Sequence, residues 1–115
     1  MAISNTKYWQ EVEDLASYIA KEALDQTDTL EEAEELINDS LLHETIDGHQ
    51  WVIYYSYNLD VLQHSDNADY MIDNIGGESE ILKEKGLSGL HSALAFWALC
   101  ADVQERITAE LEQHQ

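Results

Sequence analysis

Trp51-Val52-Ile53-Tyr54-Tyr55-Ser56-Tyr57-Asn58-Leu59-Asp60-Val61-Leu62 is the stretch that decides the fold. Its β-branched and aromatic opening has the composition of a strand. Yet Val52, Tyr55, Leu59 and Leu62 share one helical face, and the chain has no second strand-like segment for it to pair with. We therefore read it as a helix, which makes the chain all-α. Trp51, Tyr54, Tyr57 and Val61 occupy another side, so this helix is apolar nearly all round. Such a helix sits at the centre of a fold or half inside a subunit interface.

On the N-terminal side, Tyr8, Val12, Leu15 and Ile19 lie along one face of a helix from about Asn5 to Leu24, with Ala16, Ala20 and Ala23 beside them. Asp25-Gln26-Thr27-Asp28 interrupts the pattern. Thr29-Leu30-Glu31-Glu32 then has the form of a capping box, opening a second helix that runs to about Thr45. Its apolar face is Leu30, Ala33, Ile37 and Leu41, with Leu36 alongside, and Asp47-Gly48 is a turn signal. On the C-terminal side, a short helix from Asp66 to Ile75 passes through Ala68, Met71 and Ile72 and ends at Gly76-Gly77. The longest periodic run extends from Leu87 to about Gln113. Leu90, Leu94, Trp97 and Ala101 form one of its faces, and Phe96, Val103, Ile107 and Leu111 extend a second. The expected architecture is a single domain, residues 1–115, built as a compact bundle of four to five helices around a long C-terminal helix.

Composition agrees with a folded chain. At 115 residues and 44% apolar, the sequence is long enough for one hydrophobic core and too short for two domains. Ten aromatics and no proline do not suit a disordered acidic tail. The opening residues carry no basic region followed by an apolar run, and the longest apolar stretch, Ala93 to Ala101, is about half of a membrane span. These features lead us to expect a soluble protein of the cytoplasm, that of the host cell if a phage encodes it. The lone cysteine, Cys100, sits in Ala98-Leu99-Cys100-Ala101 and reads as a small core residue.

Charge is the outstanding property. The chain carries 24 acidic residues against five lysines and arginines, a formal charge of −19. Between Lys21 and Lys83 lie 61 residues without a lysine or arginine, and they hold sixteen of the acids. A compact chain of this length is about 34 Å across, and that length of B-DNA carries roughly 20 phosphates. The total charge therefore matches a duplex over a similar span. Direct binding to nucleic acid is unsuited to this chain, since phosphate contacts require the basic residues it lacks.

Chemical motifs are weak. His43-Glu44-Thr45-Ile46-Asp47-Gly48-His49 gathers metal-capable groups, but the second histidine falls two positions too late for the His-Glu-x-x-His zinc motif. Asp66-Asn67-Ala68-Asp69 lacks the rest of a calcium loop. Gly89-Leu90-His91-Ser92 is not a nucleophile elbow, and no glycine-rich phosphate loop occurs. We expect neither enzyme activity nor a cofactor or bound metal.

Two short resemblances bear on function. The segment from His43 to Tyr55 resembles one in small phage- and plasmid-encoded proteins of uncharacterised function. The opening Met1-Ala2-x-Ser4-Asn5-x-x-Tyr8, together with length and acidity, is similar to phage antirestriction proteins of the Ocr type, which are dimeric DNA mimics. That resemblance implies an inhibitor whose carboxylates stand in for phosphates in the basic groove of a DNA-binding protein, such as a restriction or CRISPR effector nuclease. The expected contact residues are Glu31, Glu32, Glu34, Glu35, Asp39, Glu44, Asp47, Asp60, Asp66, Asp69 and Asp73. The alternative is an acidic adaptor or antitoxin-like protein, or a homodimer, whose specific contact is the aromatic set Trp51, Tyr54 and Tyr57. Adaptation to high salt is a third explanation of the same acidity.

Overall fold

The computed structural model describes residues 4–48, 55–76 and 80–113, with side chains described at 4–48, 59–74 and 92–113. Every regular element among these residues is helical, as the all-α reading requires.

Helix α1 spans Asn5–Gln26. Ser4 caps it, its Oγ accepting from the Lys7 amide at 3.1 Å. The buried face is Tyr8, Val12, Leu15, Ala16, Ile19, Ala20 and Ala23, the face predicted from spacing. At the other end the Thr27 hydroxyl donates to the Ala23 carbonyl at 2.7 Å, satisfying one of the helix's last acceptors. Thr29 caps the next helix: its Oγ1 accepts from the Glu32 amide and its hydroxyl donates to the Glu32 carboxylate, each at 3.1 Å. The Thr29–Glu32 pair was expected as a reciprocal capping box. Here the carboxylate takes the Thr29 hydroxyl.

The second predicted helix is three segments in one rod. Helix α2, Leu30–Leu36, passes through a π-helical turn, Ile37–Leu41, into α3, Leu42–Asp47. In the π turn the Leu42 amide reaches back five residues to the Ile37 carbonyl. That extra residue corrects the expected face. Ala33, Ile37, Leu42 and Ile46 are buried, whereas Leu41 is only half-buried. Gly48 ends the rod, donating its amide to the Glu44 carbonyl at 3.2 Å.

Within the stretch that decides the fold, Tyr55–His64 is helix α4, and residues 51–54 lie outside the described residues. Its packed side differs from the expected one: Val61 is fully buried, while Leu59 is exposed. Helix α5, Ala68–Met71, runs into a second π turn, Ile72–Gly76. Ala68 is buried there, but Ile72 is exposed and not part of the core.

Helix α6, Glu80–Glu112, is 33 residues long and begins seven residues before the expected start at Leu87. Gly86 and Gly89, each unfavourable by about 1 kcal/mol relative to alanine, do not interrupt it. Its buried stripe is Leu94, Ala95, Ala98, Leu99, Asp102, Val103, Ile107 and Leu111. Trp97 was expected in the core and is instead 41% exposed, and Ala101 is half-buried, because the stripe turns past them toward α1 and α4. Helix α6 packs most extensively on α1 and α4, and also touches α3 and α5. One apolar cluster joins α1, the α2–α3 rod, α4 and α6, and Cys100 is buried within it. The molecule measures 43 × 29 × 22 Å, longer than the roughly 34 Å sphere expected from chain length. Among the described residues no helix is long and apolar enough to cross a membrane.

Candidate functional site

The π turn has a second consequence, on the outside of the rod. In an uninterrupted α-helix, residues five apart lie on different faces, because one turn is about 3.6 residues. Closing a turn with five residues brings Asp39 and Glu44 back into phase. Glu31, Glu35, Asp39 and Glu44, spaced four, four and five, then form an outward row that mirrors the buried row of Ala33, Ile37, Leu42 and Ile46. Glu32, Glu34 and Asp47 flank this row, and all seven carboxylates are exposed. The 18 residues of Leu30–Asp47 rise about 27 Å, a length over which one strand of B-DNA carries about eight phosphates.

The described lysines and arginine lie away from this row. Lys7 pairs with Glu11 on α1 at 3.1 Å, and Arg106 Nε lies 3.3 Å from the Glu13 carboxylate while its guanidinium sits 5.0 Å from the Trp9 ring centroid. Lys21 lines a cleft of about 560 Å³ between α1 and the start of α2, together with Asp25, Asp28 and Glu110. Among the described residues no ion pair reaches the seven rod carboxylates. Like charges three or four residues apart on a helix are mutually destabilising, by about 0.2–0.5 kcal/mol per pair. Glu31 and Glu32 at the α2 N-terminus gain some compensation from the helix dipole; Glu35, Asp39 and Glu44 lie beyond its reach.

The remaining expected contact residues divide. Asp66, Asp69 and Asp73 are exposed on or beside α5. Asp60 is only 7% exposed, on α4, and this corrects its place among surface contacts: α4 packs on α6 and turns Asp60 inward beside Val61. Trp51 and Tyr54 lie outside the described residues, and Tyr57 is described only as part of the α4 backbone.

A polar cluster beneath this surface escaped the sequence reading. Asp102 of α6 is fully buried. The Tyr8 hydroxyl of α1 donates to its Oδ2, and Asn67 Nδ2, from the turn between α4 and α5, donates to Oδ1 at 2.6 Å. Ser65 in the same turn also bonds the carboxylate, and its Oγ accepts from the Asn67 amide at 3.1 Å. Burial raises the Asp102 pKa above the usual carboxylate range, against the opposing pull of the bonds from Tyr8, Ser65 and Asn67. Burial and the neighbouring Asp102 charge likewise push the Tyr8 phenol upward. The cluster fastens the α4–α5 turn to the crossing of α1 and α6. The signal for it was a lone acid on an otherwise apolar helical stripe, a position tolerated only when donors surround it.

Between the two acidic groups lies a groove of about 410 Å³, with Leu42 and His43 on the α3 side, Met71 on the α5 side, and Trp97, Cys100 and Ala101 of α6 between them. The His43 ring meets Trp97 edge-on, with centroids 5.5 Å apart. Burial, aided by the Asp47 charge, pushes the Cys100 thiol up to about 12, so it remains protonated at neutral pH and is no nucleophile. Among the described residues no group of three or more His, Cys, Asp or Glu is arranged to hold a metal ion. What the described residues offer is a concentration of negative charge on a helical body, with an apolar groove set into it. No protein-family model, curated protein or solved structure matches the chain, so that arrangement is what a functional reading has to rest on.

Proposed function

We propose that the protein is a DNA-mimic inhibitor that presents the α2–α3 carboxylates to the basic DNA-binding groove of another protein, a restriction or CRISPR effector nuclease being the kind of target that fits. The observation carrying this reading is the phase of the acids. Glu31, Glu35, Asp39 and Glu44 stay on one face through a π turn, and no described cation is paired with them. A merely solvated helix face has no need of such alignment, and its like-charge repulsion would be relieved by a single interspersed lysine.

The row and its three flanking carboxylates together come close to the linear charge density of one DNA strand, and Asp66, Asp69 and Asp73 supply a second acidic group across α6. Over the 43 Å long axis a duplex would carry about 25 phosphates, so the formal charge of −19 is somewhat more dilute than DNA. Complementary charge accelerates encounter with a basic partner and makes affinity fall steeply with salt. The resemblance to antirestriction proteins points the same way, although Ser4 and Tyr8 within it serve here as a helix cap and a core residue.

The test is capture from host lysate on immobilised protein at about 0.05 M and about 0.5 M salt, where screening differs several-fold in range. The captured proteins should be DNA-binding, should be displaced by duplex DNA, and should be lost at the higher salt. The combined variant Glu31→Gln, Glu35→Gln, Asp39→Asn, Glu44→Gln should capture none of them. Retention at high salt, indifference to duplex DNA, or equal capture by the neutral variant would each refute the proposal.

A further inference from the structure

The geometry points to the groove between α3, α5 and α6 as the seat of an apolar side chain from a cationic segment of the partner, an anchor that fixes the register of the charged contact. This inference rests on the inhibitor reading above and adds to it a specific point of attachment. The groove, about 410 Å³, falls within the size range of ligand sites. Its walls are mostly apolar, formed by Leu42, Met71, Trp97, Cys100 and Ala101. Trp97 is 41% exposed at its edge and is held there by the His43 and Phe96 rings, with centroids 5.5 and 5.3 Å away. A tryptophan fixed by its neighbours and left open on one side is the residue type most often found to dominate binding energy at an interface.

Charge selects the occupant. The elements flanking the groove carry Asp39, Glu44 and Asp47 on one side and Asp69 and Asp73 on the other, all exposed, and among the described residues no lysine or arginine lines it. Asp47 acts electrostatically on Cys100 in the groove wall. A second copy of this chain, itself at −19, would bring carboxylates against carboxylates. A segment with one large apolar residue between lysines or arginines satisfies both the walls and the rim. Such segments recur on surfaces that bind DNA, where apolar side chains lie among phosphate-contacting cations.

Two synthetic peptides provide the test, acetyl-Lys-Lys-Leu-Phe-Lys-Lys-amide and acetyl-Lys-Lys-Gly-Gly-Lys-Lys-amide, titrated into isotope-labelled protein and followed by nuclear magnetic resonance. The Leu-Phe peptide should bind about tenfold more tightly or better, the loss expected on removing an interface anchor. It should shift the Met71 methyl and Trp97 indole signals, and its advantage should persist at about 0.5 M salt, where the purely ionic contribution is screened. Trp97→Ala removes the wall and Ala101→Leu fills the groove; each should abolish the advantage, with the fold verified by circular dichroism. Equal affinity for the two peptides, or an advantage surviving both variants, overturns the inference. So do concentration-dependent shifts of the same signals without peptide, which would give the groove to a second copy. The ridge reading fails separately, if binding of the Gly-Gly peptide at the α2–α3 amides is indifferent to salt and to Glu35→Gln with Asp39→Asn.

Discussion

Glu35→Lys should make the protein more stable while it weakens the proposed function. Glu35 is exposed in the middle of the rod, four residues from Glu31, four from Asp39 and three from Glu32. Each such like-charge pair is unfavourable by about 0.2–0.5 kcal/mol on a helix surface, and an opposite pair is favourable by a similar amount. Reversing one charge therefore changes the sign of three interactions. Allowing for side-chain freedom and solvent screening, the net gain is about 1 kcal/mol. For a chain of this length that corresponds to a rise of about 4 °C in Tm. The assay is a pair of thermal melts, wild type and variant, at low salt and at about 1 M salt, where the screening length falls to about 3 Å. The difference should be full at low salt and collapse to a few tenths of a kcal/mol at high salt. A variant that is less stable than wild type at low salt, or a difference that salt leaves unchanged, would mean the rod carboxylates do not repel one another. Their repulsion would then be no sign that the carboxylates are retained for display.

Three further outcomes follow from the interior. Tyr8→Phe removes a buried donor from Asp102 and should destabilise by about 2 kcal/mol at neutral pH in urea titration; a change below about 0.5 kcal/mol would mean the contact contributes nothing net. The folded-state pKa of Asp102 lies above its unfolded value, so folding takes up a proton there, and stability from this group increases as pH falls from the folded pKa toward about 4. Relative to Asp102→Asn, wild type should thus gain stability as pH is lowered from neutral toward about 4, and the opposite trend would refute the direction assigned to Asp102. Leu42→Ala should lose about 2–4 kcal/mol and Leu41→Ala about 1 kcal/mol, because the π turn buries the former and leaves the latter half-exposed; equal losses would indicate a straight helix.

The homodimer expected from the aromatic segment depends on Trp51, Tyr54 and Tyr57, whose side chains lie outside the described residues. If the groove takes the side chain proposed for it, the adaptor alternative would move to a different location, with Trp97 in place of that segment. The two functional readings would then meet on one molecule. Charge would bring the partner in, and the groove would hold it in one register.

Periodicity and composition were enough to establish an all-α chain, the α1 face from Tyr8 to Ala23, the cap at Thr29 as local chemistry, and a base-free acidic region. These properties are local, repeating at the helix period or residing in a few adjacent residues, so a linear reading recovers them. Tertiary structure decided the rest. Packing of the rod against α1 and α6 required Leu42 in place of Leu41, and the π turn that provides it also aligned Glu44 with Asp39. The crossing of α1 and α6 brought Tyr8 to Asp102, 94 positions away, and the α4–α5 turn brought Asn67 to the same carboxylate. Packing also left Trp97 at the edge of a groove when spacing alone would have buried it. Which side of a helix is covered depends on what lies against it, and that is a property of the assembled chain.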